Sequence, residues 1–266
     1  MENRTPRPVI LVTSFGTTFE GTRSVTVGAI ESAIAERFPE YEVRRAFTSN
    51  NIRRILLNRD KIRIDSVPEA LEKLIADGVK KVVVMPTHML EGDEYDNKIV
   101  NMVKEYKDRF EDIRIGHALL TNDLDYSHLA AIIDEATAEY RAPGTARIFM
   151  GHGTEHKANE GYARLQQTLK DRGVNDIFIG TVEAEPTLKD MVKIVKDGGY
   201  GKVVLSPLMI VAGDHATNDM AGDDDDSWKS TFVKAGLKVE CRVTGLGSDW
   251  RVQRMMVYHC KQTIEG

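Results

Sequence analysis

The chain has 266 residues, enough for one large domain or two modest ones. Its 41% hydrophobic and 29% charged residues fit a globular protein with a real core, not a disordered chain. The 36 basic and 41 acidic residues leave a formal net charge of −5, which argues against nucleic acid as the main partner.

In chain order, the residues after Met1 lead straight into an apolar run, "VILVTS" (9–14), with no secretory leader pattern ahead of it. Residues 18–37 then place Val27, Ile30, Ile34 and Phe38 at helical spacing. A weaker strand, "YEVRRAF" (41–47), precedes the strong strand "KVVVMP" (81–86). Ile99, Val103, Tyr106 and Phe110 predict a helix over 95–110, and "DIRIGHA" (112–118) is a further weak strand. The second half repeats the alternation. Its strong strands are "ARIFMG" (146–151), "DIFIGT" (176–181) and "KVVLSP" (202–207), and its weak one is "KVECRVT" (238–244). Leu188, Met191, Val192 and Val195 predict a helix over 186–197, stopped by Gly198-Gly199. Short apolar strands alternating with helices predict an α/β fold with mostly parallel sheets covered on both faces. The acidic run "GDDDDS" (222–227) reads as a solvated loop or a helix start before Trp228. A secondary cation site is the alternative.

No apolar run approaches the ~18 residues that suggest a membrane span. Cys241 and Cys260 form no CxxC motif, so no zinc ribbon or redox pair is indicated, and a reducing compartment is expected. The expected location is the cytoplasm, with an exported form as the alternative if a leader has been removed. Neither GxGxxG nor GxxxxGK[ST] occurs, which disfavours a nucleotide-binding protein.

An internal repeat organises the chain. "VTSFGTT" (12–18) resembles "FMGHGTE" (149–155), setting Phe15 opposite His152. Residues 64–97 resemble 181–219, which pairs Asp65 with Glu183, Pro68 with Pro186, Pro86 with Pro207 and Glu94 with His215. The ordered matches predict two α/β lobes, 1–125 and 126–245, with a C-terminal helix within 246–266 free to pack on the first. Duplicated open sheets place ligands at the carboxyl ends of their strands, here in a cleft between lobes. His152, Glu183, His215 and Glu94 all follow strands at such ends. Two imidazoles with carboxylates suit a borderline divalent metal. Among the other histidines, His156 stands four residues after His152 and His88 faces either cleft or core. His117, His128 and His259 read as surface or packed residues.

The motifs "SFGT", "RAFTS", "GDEY", "MGHG", "VE" and "GDHATNDMAGDDDDSW" together resemble the anaerobic cobalt chelatases, the CbiK family of class II chelatases, from Val9 to about Trp250. The resemblance implies a ferrochelatase-like fold and ATP-independent insertion of Co²⁺ into sirohydrochlorin for cobalamin synthesis. It implies no organic cofactor, with the metal and the tetrapyrrole as partners, and it carries His152 and His215 over as metal and catalytic residues. Glu183 is then the better third ligand, and Glu94 a candidate for proton relay or for orienting a histidine. Ser14, Thr17 and Thr18 at a strand-to-helix turn, with Arg45, Arg53 and Arg54, are candidates for the substrate's carboxylates. A sirohydrochlorin ferrochelatase for sirohaem and a non-catalytic metal or tetrapyrrole carrier are the competing readings. A homo-oligomer is compatible with the sequence and not required by it.

Overall fold

The computed structural model describes residues 6–266; the first five residues of the stretch that leads into the first strand lie outside the described ones. The chain forms two compact units, one of residues up to Leu119 together with Gln253–Gly266, the other Leu120–Val252. The division precedes the helix Asp123–Ala136, which therefore belongs whole to the second unit.

Strands β1 (Val9–Ser14), β2 (Glu42–Phe47), β3 (Lys81–Pro86) and β4 (Asp112–Ile115) form a parallel sheet in the order β2-β1-β3-β4. In the second unit β5 (Thr145–Gly151), β6 (Ile177–Thr181), β7 (Lys202–Pro207) and β8 (Lys238–Cys241) repeat it as β6-β5-β7-β8, again all parallel. Parallel pairing requires crossovers, and helices supply them. Successive β1 residues Val9, Ile10, Leu11 and Val12 are all fully buried, so both faces of that strand are covered. The four inner strands are all strong apolar runs of the sequence, and the fifth strong run, β6, is an edge strand. The weak runs β2, β4 and β8 lie at sheet edges, where partial exposure admits polar residues.

In the first unit Leu11, Val82 and Val84 pack with Leu71 and Leu74 of the helix Val67–Ala76. In the second, Ile148, Met150, Val203 and Leu205 pack with Met191 and Val195 of the helix Leu188–Asp197 and with Trp228 and Phe232. Ser66 and Thr187 begin the two matching helices, each with a reciprocal capping box to the acid three residues on. The region expected as one helix over 95–110 is broken. A short helix, Asp93–Tyr95, runs into a π-helical turn, Asp96–Val100, then Asn101–Lys104. The acidic run is exposed, with Asp223 and Asp225 paired to Lys229 and Lys234, and Ser227 caps the helix Trp228–Lys234.

Strand register corrects two pairings of the repeat, Asp65 with Glu183 and Pro68 with Pro186. The Phe47 amide donates to the Asp65 carbonyl at 2.9 Å, and the Thr181 amide donates to the Pro186 carbonyl at 2.7 Å. Asp65 therefore matches Pro186, not Glu183. The first unit inserts the helix Asn50–Ile55 and the turn Leu56–Asp60 after β2, and that insertion displaced the alignment. Counted from the strand ends, Ser49 is the counterpart of Glu183. Glu94 and His215 remain matched, because the amides two residues beyond them, of Asp96 and Thr217, donate to the carbonyls of Gly92 and Gly213.

Candidate metal centre

Three loops at the carboxyl ends of adjacent second-unit strands build the centre. β5 delivers His152 between two glycines. A Cβ on Gly151 would lie 2.4 Å from the Tyr162 ring, and one on Gly153, at φ +86°, would lie 2.8 Å from the Ala184 nitrogen. Only glycine lets the His152 loop lie this close to the segment after β6. That closeness is used: the His152 carbonyl accepts from the Val182 and Glu183 amides at 3.1 and 2.9 Å. The Thr181 hydroxyl closes the next turn by donating to the Ala184 carbonyl at 2.5 Å. Glu183 is thereby fixed beside His152, with a carboxylate oxygen 3.5 Å from His152 Nδ1.

After β7, the chain turns at Gly213 and enters a π-helical turn, Ala216–Met220, with His215 at its start. Such turns recur at functional sites because they re-aim a side chain within a helical path. The His152 and His215 rings meet edge to face at 4.7 Å between centroids. One ligand atom from each of His152, Glu183 and His215 lies within 4.8 Å of the others. Their side chains are 44%, 54% and 34% exposed, so the ligand atoms are open to an arriving ion and its acceptor. His152 Nδ1 lies 2.9 Å from the Gly153 carbonyl, which can only accept, so Nδ1 donates there and, in the neutral tautomer this sets, Nε2 carries the lone pair. His215 Nδ1 lies 2.5 Å from an Asp219 carboxylate oxygen, with the same result. Two imidazole nitrogens and one carboxylate, with coordination positions left over, suit a borderline divalent ion.

The other expected residues lie elsewhere. Glu94 is half-buried in the first unit, in the helix that follows β3, and is not one of the three gathered groups. Ser14 is buried, its hydroxyl 2.7 Å from that of Thr87. Thr17 is also buried and its hydroxyl accepts from the Phe19 amide; Thr18 offers its carbonyl to Arg59. Arg45 makes a two-pronged pair with Glu31 at 2.7 and 2.5 Å. Arg53 binds the Ile64 carbonyl, Asn50 and Glu69, and Arg54 binds Asn51. These arginines serve internal ion pairs and hydrogen bonds. His156 caps a short turn by accepting from the Ala158 amide and is not in the trio. Asp219 was not singled out in the sequence, although its spacing of four from His215 is a visible signal.

The cobalt chelatase (CbiK) family model matches residues 8–265. The chain belongs to the CbiK family of cobalt chelatases. A sirohydrochlorin cobaltochelatase of Salmonella typhimurium is 37% identical over 258 residues, covering 97% of each chain. The sirohydrochlorin cobaltochelatase CbiKC of Nitratidesulfovibrio vulgaris is 35% identical over 230 residues, covering 86% of this chain and 80% of its own. The fold of this CbiK family member is shared with two solved structures. SirB from Bacillus subtilis with Fe³⁺ has a TM-score of 0.69 at 11% identity, covering 97% of this chain and 96% of its own. CbiX, described as the terminal enzyme of sirohaem biosynthesis in denitrifying bacteria, has 0.60 at 16%, covering 96% and 99%.

Proposed function

We propose that the chain inserts Co²⁺ into sirohydrochlorin without ATP, with His152, Glu183 and His215 holding the ion. The gathering of these three side chains from three separate loops is the observation that carries this reading. A hydrated Co²⁺ exchanges waters for the Nε2 atoms of the two imidazoles and an oxygen of Glu183, whose charge offsets part of the ion's. The tetrapyrrole presents its ring nitrogens to the positions left open. As the four cobalt–nitrogen bonds to the ring form, the three protein ligands and the remaining waters are released in turn. A pyrrole N–H proton then passes to a base thus freed, so ligation and proton acceptance follow one another on the same atom. Glu94, matched to His215 by the repeat, is assigned as a further proton acceptor.

The test is insertion followed by absorbance, using purified protein, sirohydrochlorin and Co²⁺, Fe²⁺, Ni²⁺ or Zn²⁺ in parallel. His152→Ala and His215→Ala are each expected to fold as wild type by circular dichroism and to lose roughly 100-fold or more in kcat/KM with Co²⁺. Wild-type rates in both variants would refute the assignment. Ring or metal binding without turnover would instead identify a carrier, and preference for Fe²⁺ a ferrochelatase.

A further inference from the structure

Asp219 stands four residues beyond His215, on the same π-helical turn, and receives the His215 Nδ1 proton at 2.5 Å. We infer that Asp219 is a positioning residue that makes His215 the anchoring ligand of the ion. This rests on the metal-holding role proposed above for the trio. The carboxylate fixes the tautomer with Nδ1–H, so Nε2 is the lone pair that faces the ion. It also aims the ring and enriches it in electron density, as carboxylate partners of metal-bound histidines do. The two imidazoles are then unequal. His152 Nδ1 donates to a neutral carbonyl, and its carboxylate neighbour Glu183 is 3.5 Å away and itself a ligand. His215 has a dedicated carboxylate at full hydrogen-bond distance.

The internal repeat separates this role from a merely structural one. The first unit builds the same turn from "GDEYDNK", with the Asp96 amide donating to the Gly92 carbonyl at 2.9 Å. The Thr217–Gly213 bond of the second unit measures 3.0 Å, and a π-helical turn follows in both. In the first unit Glu94 stands for His215 and Lys98 for Asp219. The turn therefore forms without a histidine–aspartate pair. That pair occurs in the copy that gathers the metal-ligating trio.

The experiment titrates Co²⁺ calorimetrically into metal-free wild type, Asp219→Asn and Asp219→Ala, and measures KM for Co²⁺ and for sirohydrochlorin in each. Asp219→Ala is expected to weaken Co²⁺ binding about 10- to 100-fold. Asp219→Asn should fall between it and wild type, because an amide oxygen still accepts from Nδ1 but carries no charge. KM for Co²⁺ should rise more than kcat falls, with KM for sirohydrochlorin steady. In a His215→Ala background, adding Asp219→Ala should change Co²⁺ affinity little. Wild-type Co²⁺ affinity in either single variant, or a full additional loss in the double variant, would overturn the inference. If Asp219→Ala does not fold, Asp219→Asn decides alone. Should wild type bind Co²⁺ yet insert none, the proposed activity fails while the calorimetric comparison still tests Asp219.

Discussion

His88 follows β3, and both of its ring nitrogens are buried without a hydrogen-bond partner. Burial pushes its pKa down to about 4 from 6.5. Between those values the unfolded chain binds a proton that the folded chain refuses, so stability falls as pH falls from about 6.5 toward 4. By that linkage His88 alone should cost about 2 kcal/mol between pH 7.5 and pH 5. Denaturant melts at both pH values should show His88→Leu losing less stability than wild type on acidification. An equal loss in the two proteins would remove His88 as the cause. His152 and His215 are of another kind, half-exposed and each held through Nδ1, and they were legible in the sequence because glycines and strand ends surround them. Ser14 and Arg45 were not legible as internal groups. A serine or arginine shows its chemistry in sequence, but Thr87 and Glu31, which occupy these two, come from distant positions. Arg147 shows the same limit: it is fully buried in β5 between Asp134 and Asp176, with Thr137 as a third partner. Burial alone would raise the Asp134 carboxyl, but hydrogen bonds from Arg141 and Arg147 hold it below the usual range.

The inner strands were legible because apolar residues dominate them, as was the edge strand β6, whereas the edge strands β2, β4 and β8 were legible only faintly, because partial exposure admits polar residues there. The π-helical turns could not be read from periodicity. Ile99 and Val103 keep helical spacing although Ile99 lies in the π-helical turn Asp96–Val100 and Val103 in the helix after it, and both are buried as the stripe requires. The Glu183 segment depends on the helix Leu188–Asp197, whose cap Thr187 accepts from the Asp190 amide at 3.3 Å while Asp190 accepts from the Thr187 amide at 2.7 Å. Thr187→Ala should lower stability by about 1 kcal/mol, and Thr187→Gly by only a few tenths, in urea melts. A neutral Thr187→Ala would mean that packing of Met191 and Val195 carries the helix start unaided. The error over Asp65 also belongs here. Two prolines suggested a match that strand register does not support, since only one unit carries the inserted helix.

Over the whole molecule, two sheets of the same strand order come from one repeated plan, and the His152, Glu183 and His215 trio proposed to hold the ion lies entirely in the second copy. A ligand that binds only folded protein stabilises it, by about 2.7 kcal/mol at a free concentration one hundred times Kd. Co²⁺ without tetrapyrrole should therefore raise the unfolding temperature of wild type, reversibly on adding EDTA, and leave a His152→Ala/His215→Ala double variant unmoved. An equal shift in the double variant would locate Co²⁺ binding outside the trio.

The helix Trp250–Glu265 begins in the second unit and, from Gln253, belongs to the first. There Arg114 donates to the carbonyls of Thr263 and Ile264, and Thr263 lies against Gly116 just beyond β4. On the ribosome, β1 to β4 emerge before the second unit, yet their unit lacks this segment until the whole of the second unit has been made. The second unit is continuous in sequence and has all its parts sooner. Order of synthesis and order of completion are thus reversed: the lobe begun first is completed by residues made after the other lobe.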